Sequence, residues 1–153
     1  MTDQTKTPPA PQAATLSDFA SKLANVDLTL ADGEVRKFTV KIPSFHKYRE
    51  LLDSVPDPEI PNTGYDGKKP VPNPHDPDYV DAKRTADVER TYRVVVWALI
   101  GGGMSIPGST FEEQVRTFYN SEPESGLINA LSRFLNVQAS GVSAQARADI
   151  FRR

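Results

Sequence analysis

The stretch from Val55 to Val80, "VPDPEIPNTGYDGKKPVPNPHDPDYV", constrains this chain more than any other. It holds seven prolines: Pro56, Pro58, Pro61, Pro70, Pro72, Pro74 and Pro77. Each proline fixes φ and removes a backbone donor, so neither a helix nor a central strand can run through the segment. Its bulky apolar residues are essentially Ile60, Tyr65 and Val71, too few to offset the entropy of ordering it alone. The segment is therefore an exposed arm, expected to be mobile from Pro56 to Pro74 unless it docks on something else.

The 153 residues around this arm suit one modest domain with appendages, taken as residues 16–138. Residues 1–15, rich in Pro, Thr, Ala and Gln, read as a disordered leader. The 18 basic and 20 acidic residues are interspersed, so no basic footprint for nucleic acid exists. There is no cysteine, and two histidines alone cannot build a zinc site. The longest apolar run, Val94 to Ile100, is far short of the about 20 residues a membrane span needs. A soluble cytoplasmic protein is expected, with no membrane partner.

Leu16, Phe19 and Leu23 fall at helical spacing after Ser17, which predicts a short helix or an ordered approach. Residues 26–42 give the clearest local signal. Val26, Leu28 and Leu30 alternate with polar residues, as do Phe38, Val40 and Ile42, and Asp32-Gly33 supplies positive φ for a tight hairpin turn. Pro43 stops the second strand. Ser44 is placed to cap a helix with a stripe of Phe45, Tyr48, Leu52 and Val55.

Beyond the arm (56–76), Asp76 and Pro77 read as N-cap and first residue of the longest helix, 77–100. Asp81 with Arg84, Asp87 with Arg90 and Glu89 with Arg93 are spaced to pair on its first half. Its second half, "VVVWALI", is apolar all round, which requires cover on every side. Gly101-Gly102-Gly103 then ends it, as a cap and hinge. A capping box, Ser109-Thr110-Phe111-Glu112, opens the next helix, and another begins near Pro123 with Leu127, Leu131, Phe134 and Leu135 on one face. Residues 139–153 contain a glycine break at Gly141 and read as a loose tail or short helix. The fold class expected is α+β and mostly helical: an N-terminal hairpin, then about four helices, with the proline arm between the first two main helices.

Three groupings resemble sites. Ser44 and Lys47 have the S-x-x-K spacing of serine acyl-enzymes, but the companion S-D-N and K-T-G elements are missing, and a serine after proline at a helix start is a cap. His75, Asp76, Asp78 and Asp81 offer metal ligands, yet fit no calcium loop and serve the helix dipole equally well. The triple glycine follows a helix C-terminus, where the dipole disfavours phosphate. No nucleophile, base and orienting group come together, so the chain is read as non-enzymatic, without cofactor or metal.

On the same helix, Val94 and Trp97 fall on a different side from Val88, Tyr92, Val95 and Leu99, and one internal core does not readily cover both. Either the hairpin and last helices cover Val94 and Trp97, or a partner does. The partner-binding residues expected are accordingly Val94 and Trp97, with Ile106 and Phe111 in the connection that follows.

The hairpin-to-helix passage "LTLADGEVRKFTVKIPSF" and the connection "IGGGMSIPGSTFEEQ" resemble the tail assembly chaperones of long-tailed bacteriophages, over roughly residues 26–135. The resemblance implies a protein of the host cytoplasm that is left out of the mature particle. It also implies that the protein coats the hydrophobic helices of the tape measure protein, helps recruit tail tube subunits, and has a longer frameshifted form. A homo-oligomer is a further option. The proline arm is longer than the family implies. The other class that suits these features is a small structural virion protein, such as a tail completion or connector component.

Overall fold

The computed structural model describes the backbone of residues 22–151 and the side chains of residues 22–140; the leader, Leu16 and Phe19 lie outside these. The fold is α+β, with the order β1 (Lys22–Thr29), β2 (Val35–Ile42), α1 (Phe45–Asp53), β3 (Gly64–Asp66), β4 (Lys69–Val71), α2 (Pro77–Gly101), α3 (Phe111–Asn120) and α4 (Ser125–Phe151).

Strands β1 and β2 pair antiparallel, with Ala24 opposite Val40, Val26 opposite Phe38 and Leu28 opposite Arg36. Period-2 alternation puts Val26 and Val40 on the buried face. The hairpin starts earlier than expected: Leu23 lies in β1 and is exposed, so any helical turn before Val26 ends ahead of Lys22. The turn also differs from the expected one. Only Gly33, at φ 87°, is left-handed there, and Asp32 is not. Leu30 N donates to Glu34 O at 2.7 Å and Gly33 N to Leu30 O at 3.0 Å, a three-residue loop closed by a left-handed glycine. Asp32 instead accepts from Glu34 N through its side chain, at 2.9 Å. Gly33→Val places a β-branched residue at that φ, in open space. It is expected to lower stability by about 1–3 kcal/mol, measured by thermal melting.

Helix α1 is capped as expected, with Ser44 Oγ accepting from Lys47 N at 3.1 Å. Lys47 Nζ turns away to Glu50 at 3.0 Å. Leu51 rather than Phe45 is its buried residue. Asp76 caps α2 through bonds from Asp78 N and Tyr79 N, with Pro77 at the first helical position.

The second half of α2 is the hub. Val94, Val95, Ala98 and Leu99 meet Val26 and Val40 of the hairpin, Leu51 of α1, and Ile128, Leu131 and Leu135 of α4. Val96 points the other way, into a second cluster with Ile106 and Val115 of the α3 side. A helix apolar all round is thus satisfied by two clusters on opposite flanks.

The glycines at the end of α2 cap it and form a close junction with β2. Met104 N bonds to Leu99 O and Gly103 N to Ile100 O, both at 3.0 Å, closing the helix end with Gly103 left-handed at φ 107°. Gly102 lies so close to β2 that a Cβ there would sit 1.8 Å from Thr39 O. Its missing side chain lets the helix end touch strand backbone.

Three further expectations change. The α3 box is shifted by one residue: Thr110 is the cap, accepting from Glu113 N at 3.2 Å, while Glu113 reaches back to Ser109 N at 2.9 Å. Helix α4 continues through Gly141 to Phe151 with no break, since one glycine costs a helix only about 1 kcal/mol against the flanking alanines and glutamine. The proline arm is built. Its β3 and β4 form a ribbon turned at Gly67, φ 64°, with Pro70 on an edge where no ladder donor is needed. Polar bonds tie its base: Asn73 N to Pro61 O at 2.8 Å, Thr63 Oγ1 to Asp76 Oδ2 at 2.9 Å, and both Lys83 and Arg90 to Asp57. Tyr65 remains 74% exposed at the ribbon.

Candidate partner-binding groove

The residues expected to face a partner are mostly inside. Val94 is 1% exposed in the main core and Ile106 8% exposed in the second cluster. Trp97 and Phe111 are half-buried and come together in a cleft of about 160 Å³ with Lys41, Ile100, Gly101 and Gln114. Lys41 and Lys47 stand over the Trp97 ring, at 5.5 and 5.8 Å from its centre, so the hairpin and α1 supply its cover.

Open apolar surface lies on the opposite face of α2. Val88 is nine residues before Trp97, about two and a half turns, which places it diametrically across the helix. Val80, Arg84, Val88 and Tyr92 recur every fourth residue and make one line about 18 Å long. Val95 continues that line into the core, where the other elements cover it. Toward the N-terminus the cover runs out, and Val80 and Val88 are each 39% exposed.

Two clefts flank this line. One, about 540 Å³, lies between α2 and the start of α4, with Ser125, Ile128 and Asn129 on its far wall. The other, about 420 Å³, lies between α2 and α3, walled by Val115 and Arg116. They share Arg84, Val88, Tyr92 and Tyr119. Tyr119, 54% exposed, packs edge-on against Tyr92 with ring centres 5.1 Å apart, and Phe118 supports Tyr92 from behind at 6.0 Å. Burial raises the Tyr92 hydroxyl pKa, with Tyr119 adding to the effect, so the phenol stays neutral.

Behind the Glu112 wall of the second cleft lies Arg93, 7% exposed although charged. Glu112 grips it with two bonds of 2.6 Å, Ser54 Oγ accepts from Nε at 2.9 Å, and the Phe111 ring lies 5.3 Å from its centre. One side chain thus ties α2 to α3 and to the end of α1. The Arg93 bond holds the Glu112 carboxyl below its ordinary range despite partial desolvation. Arg90 has a parallel role, donating to Val55 O and Asp57 at 2.8 and 2.7 Å. The expected pairings of Arg84, Arg90 and Arg93 within α2 all form, the closest being Arg90 with Asp87 at 2.8 Å. The stronger partners of Arg90 and Arg93 outside α2 were not legible in sequence.

Compared with protein-family models, characterised proteins and solved structures, the chain matches none.

The chemistry of the groove is therefore that of its own side chains. Its carboxylates Glu89 and Glu112 face Arg93, and its exposed carbon is arranged in a line, which suits an apolar stripe on another chain. Tyr119 and the four-residue spacing from Val80 to Tyr92 were visible in sequence. What the sequence lacked was which side of α2 the hairpin would occupy.

Proposed function

We propose that this protein is a tail assembly chaperone of a long-tailed bacteriophage, acting in the host cytoplasm without catalysis. In this reading it holds amphipathic helices of the tape measure protein and assists the recruitment of tail tube subunits. The observation that carries it is the line of exposed Val80, Val88 and Tyr119 with partly buried Tyr92 among them, backed by the core and long enough for about three helical turns of a partner. The sequence layout, hairpin then helix then arm then helices, supports the same assignment. Among the described residues no helix is long and apolar enough to cross a membrane.

Co-expression with the tape measure protein tests this. The wild-type chain is expected to keep it soluble, and Val88→Asp, which sets a charge in the middle of the line, is expected to abolish capture while the variant stays folded. Tyr119→Ala is expected to weaken binding by about 2 kcal/mol, or roughly 30-fold, as an aromatic anchor in a desolvated site. Capture unaffected by both variants would remove the groove from the function.

The ribbon favours a second reading. An arm tied at its base with Tyr65 outward is also how a structural virion component reaches a neighbouring subunit. Mass spectrometry of purified particles separates the two: stoichiometric peptides from this chain would establish the virion component, and their absence is expected of the chaperone.

A further inference from the structure

The charges around the groove are not evenly satisfied. Asp87 is held by Arg90 at 2.8 Å and approached by Lys83 at 3.8 Å. Glu112 is held twice by Arg93, Glu89 lies 3.9 Å from the same guanidinium, and Glu113 is taken by Ser109. Lys83 and Arg90 are spent on Asp57. The two carboxylates that line the second cleft, Glu89 and Glu112, thus both face Arg93.

Two arginines have only weak partners. Arg84, on α2, reaches only Asp81, at 3.8 Å with both side chains in water. Arg116, on α3, makes no side-chain hydrogen bond or ion pair with the described residues and acts on Glu112 and Glu113 only through its field. Both line the second cleft, one from each helix, beside Val88, Tyr92 and Tyr119. An apolar floor edged by two solvent-facing guanidinium groups with only weak partners selects against basic occupants and for acidic ones.

We propose, building on the groove reading above, that its occupant is an amphipathic helix of another protein whose apolar stripe is flanked by carboxylates, which Arg84 and Arg116 clasp. The chain's own C-terminal residues, 141–153, are a poor occupant because they carry three arginines against one aspartate. A second copy in two-fold pairing would bring the same patch, whose carboxylates Glu89 and Glu112 already face Arg93, and so would offer the arginines no free carboxylate from it. A partner helix with acidic flanks meets neither objection. Each exposed pair contributes little alone, so the selectivity comes from two attractions in the acidic case against two repulsions in the basic one.

Two labelled designed helices test this by fluorescence anisotropy with the full chain. They share one leucine stripe and differ in carrying Glu or Lys on both flanks. The Glu helix is expected to bind about tenfold more tightly than the Lys helix, and the double variant R84E/R116E to reverse that order. Circular dichroism and melting establish that the variants fold. Equal affinities, a preference for Lys, or failure of both helices while tape measure capture remains sensitive to Val88→Asp would overturn the acidic preference and leave the groove standing. Capture insensitive to Val88→Asp would overturn the groove itself, and this inference with it.

Discussion

Gly102→Ala is expected to lower the stability of this protein by about 3 kcal/mol or more, although it adds one methyl group at an ordinary φ of −81°. The added Cβ would meet Thr39 O at 1.8 Å, Thr39 C at 2.4 Å and Val40 Cα at 2.9 Å. All three are backbone atoms in the middle of β2, so no side-chain rotation relieves the clash. Either the end of α2 withdraws from the strand, uncovering Val40, Ala98 and Leu99, or the hairpin bends away with the same result. Gly103→Ala is the control. It carries the strained φ of 107° but has open space at its Cβ, so it reports the conformational cost alone, about 1 kcal/mol. Urea unfolding of the two variants side by side separates close approach from backbone freedom. A Gly102→Ala midpoint equal to or above that of Gly103→Ala would mean the helix and strand do not touch there.

Glu112→Ala is expected to cost about 1.5–3 kcal/mol, because it strands a guanidinium that is nearly buried. The full penalty for breaking a buried pair does not apply, since the Glu112 side chain is 62% exposed and water can follow it in. Arg93→Met is expected to be milder than Glu112→Ala despite removing the same pair, because it fills the site without leaving a charge behind. The interaction also has a pH signature. Glu112 has a folded pKa below its ordinary value of 4.5, chiefly through the Arg93 bond. A depressed carboxylate contributes stability that is complete above the unfolded value and lost as pH falls through the folded one. Stability is therefore expected to hold above about pH 4.5 and to fall progressively below it, with Glu112→Ala shallower over that window. Asp57, Asp76 and Glu113, also depressed, contribute to the slope that remains. Identical acid melting curves for the two proteins would mean that Glu112 does not hold Arg93 in solution.

Local chemistry was legible in the sequence and long-range cover was not. Asp76-Pro77 announces a helix start by itself, because a side-chain acceptor followed by proline is the chemistry that start requires. The β1–β2 pairing follows from alternation around a glycine turn, though counting Asp32-Gly33 as the whole loop missed Ala31 as its first residue. The ribbon in the proline arm escaped because its anchors are polar bonds between distant residues, such as Thr63 and Asp76, which no hydrophobic period records. The local cue was Asp66-Gly67, a hairpin dipeptide hidden among prolines.

Val94 and Ile106 were expected at a surface for a related reason, and both are buried. "VVVWALI" demands cover on every side, and Trp97 was the bulkiest residue to leave for a partner. Hairpin, α1, α3 and α4 together cover that whole half, including Val94 at the centre of the core. Uncovered carbon remains where α2 outruns its neighbours, at Val80 and Val88, which sit among charges and look solvated in the sequence.

Hydroxyl-radical footprinting of the protein with and without the tape measure protein tests the central claim most directly, because Tyr119 and Tyr65 are both exposed and lie in different parts of the fold. In the saturated complex Tyr119 is expected to lose most of its modification, and Val88 with it, while Tyr65 is modified as in the free chain. Undiminished modification of Tyr119 in a formed complex, or protection confined to Trp97 and Phe111, would contradict the groove on α2 as the seat of binding.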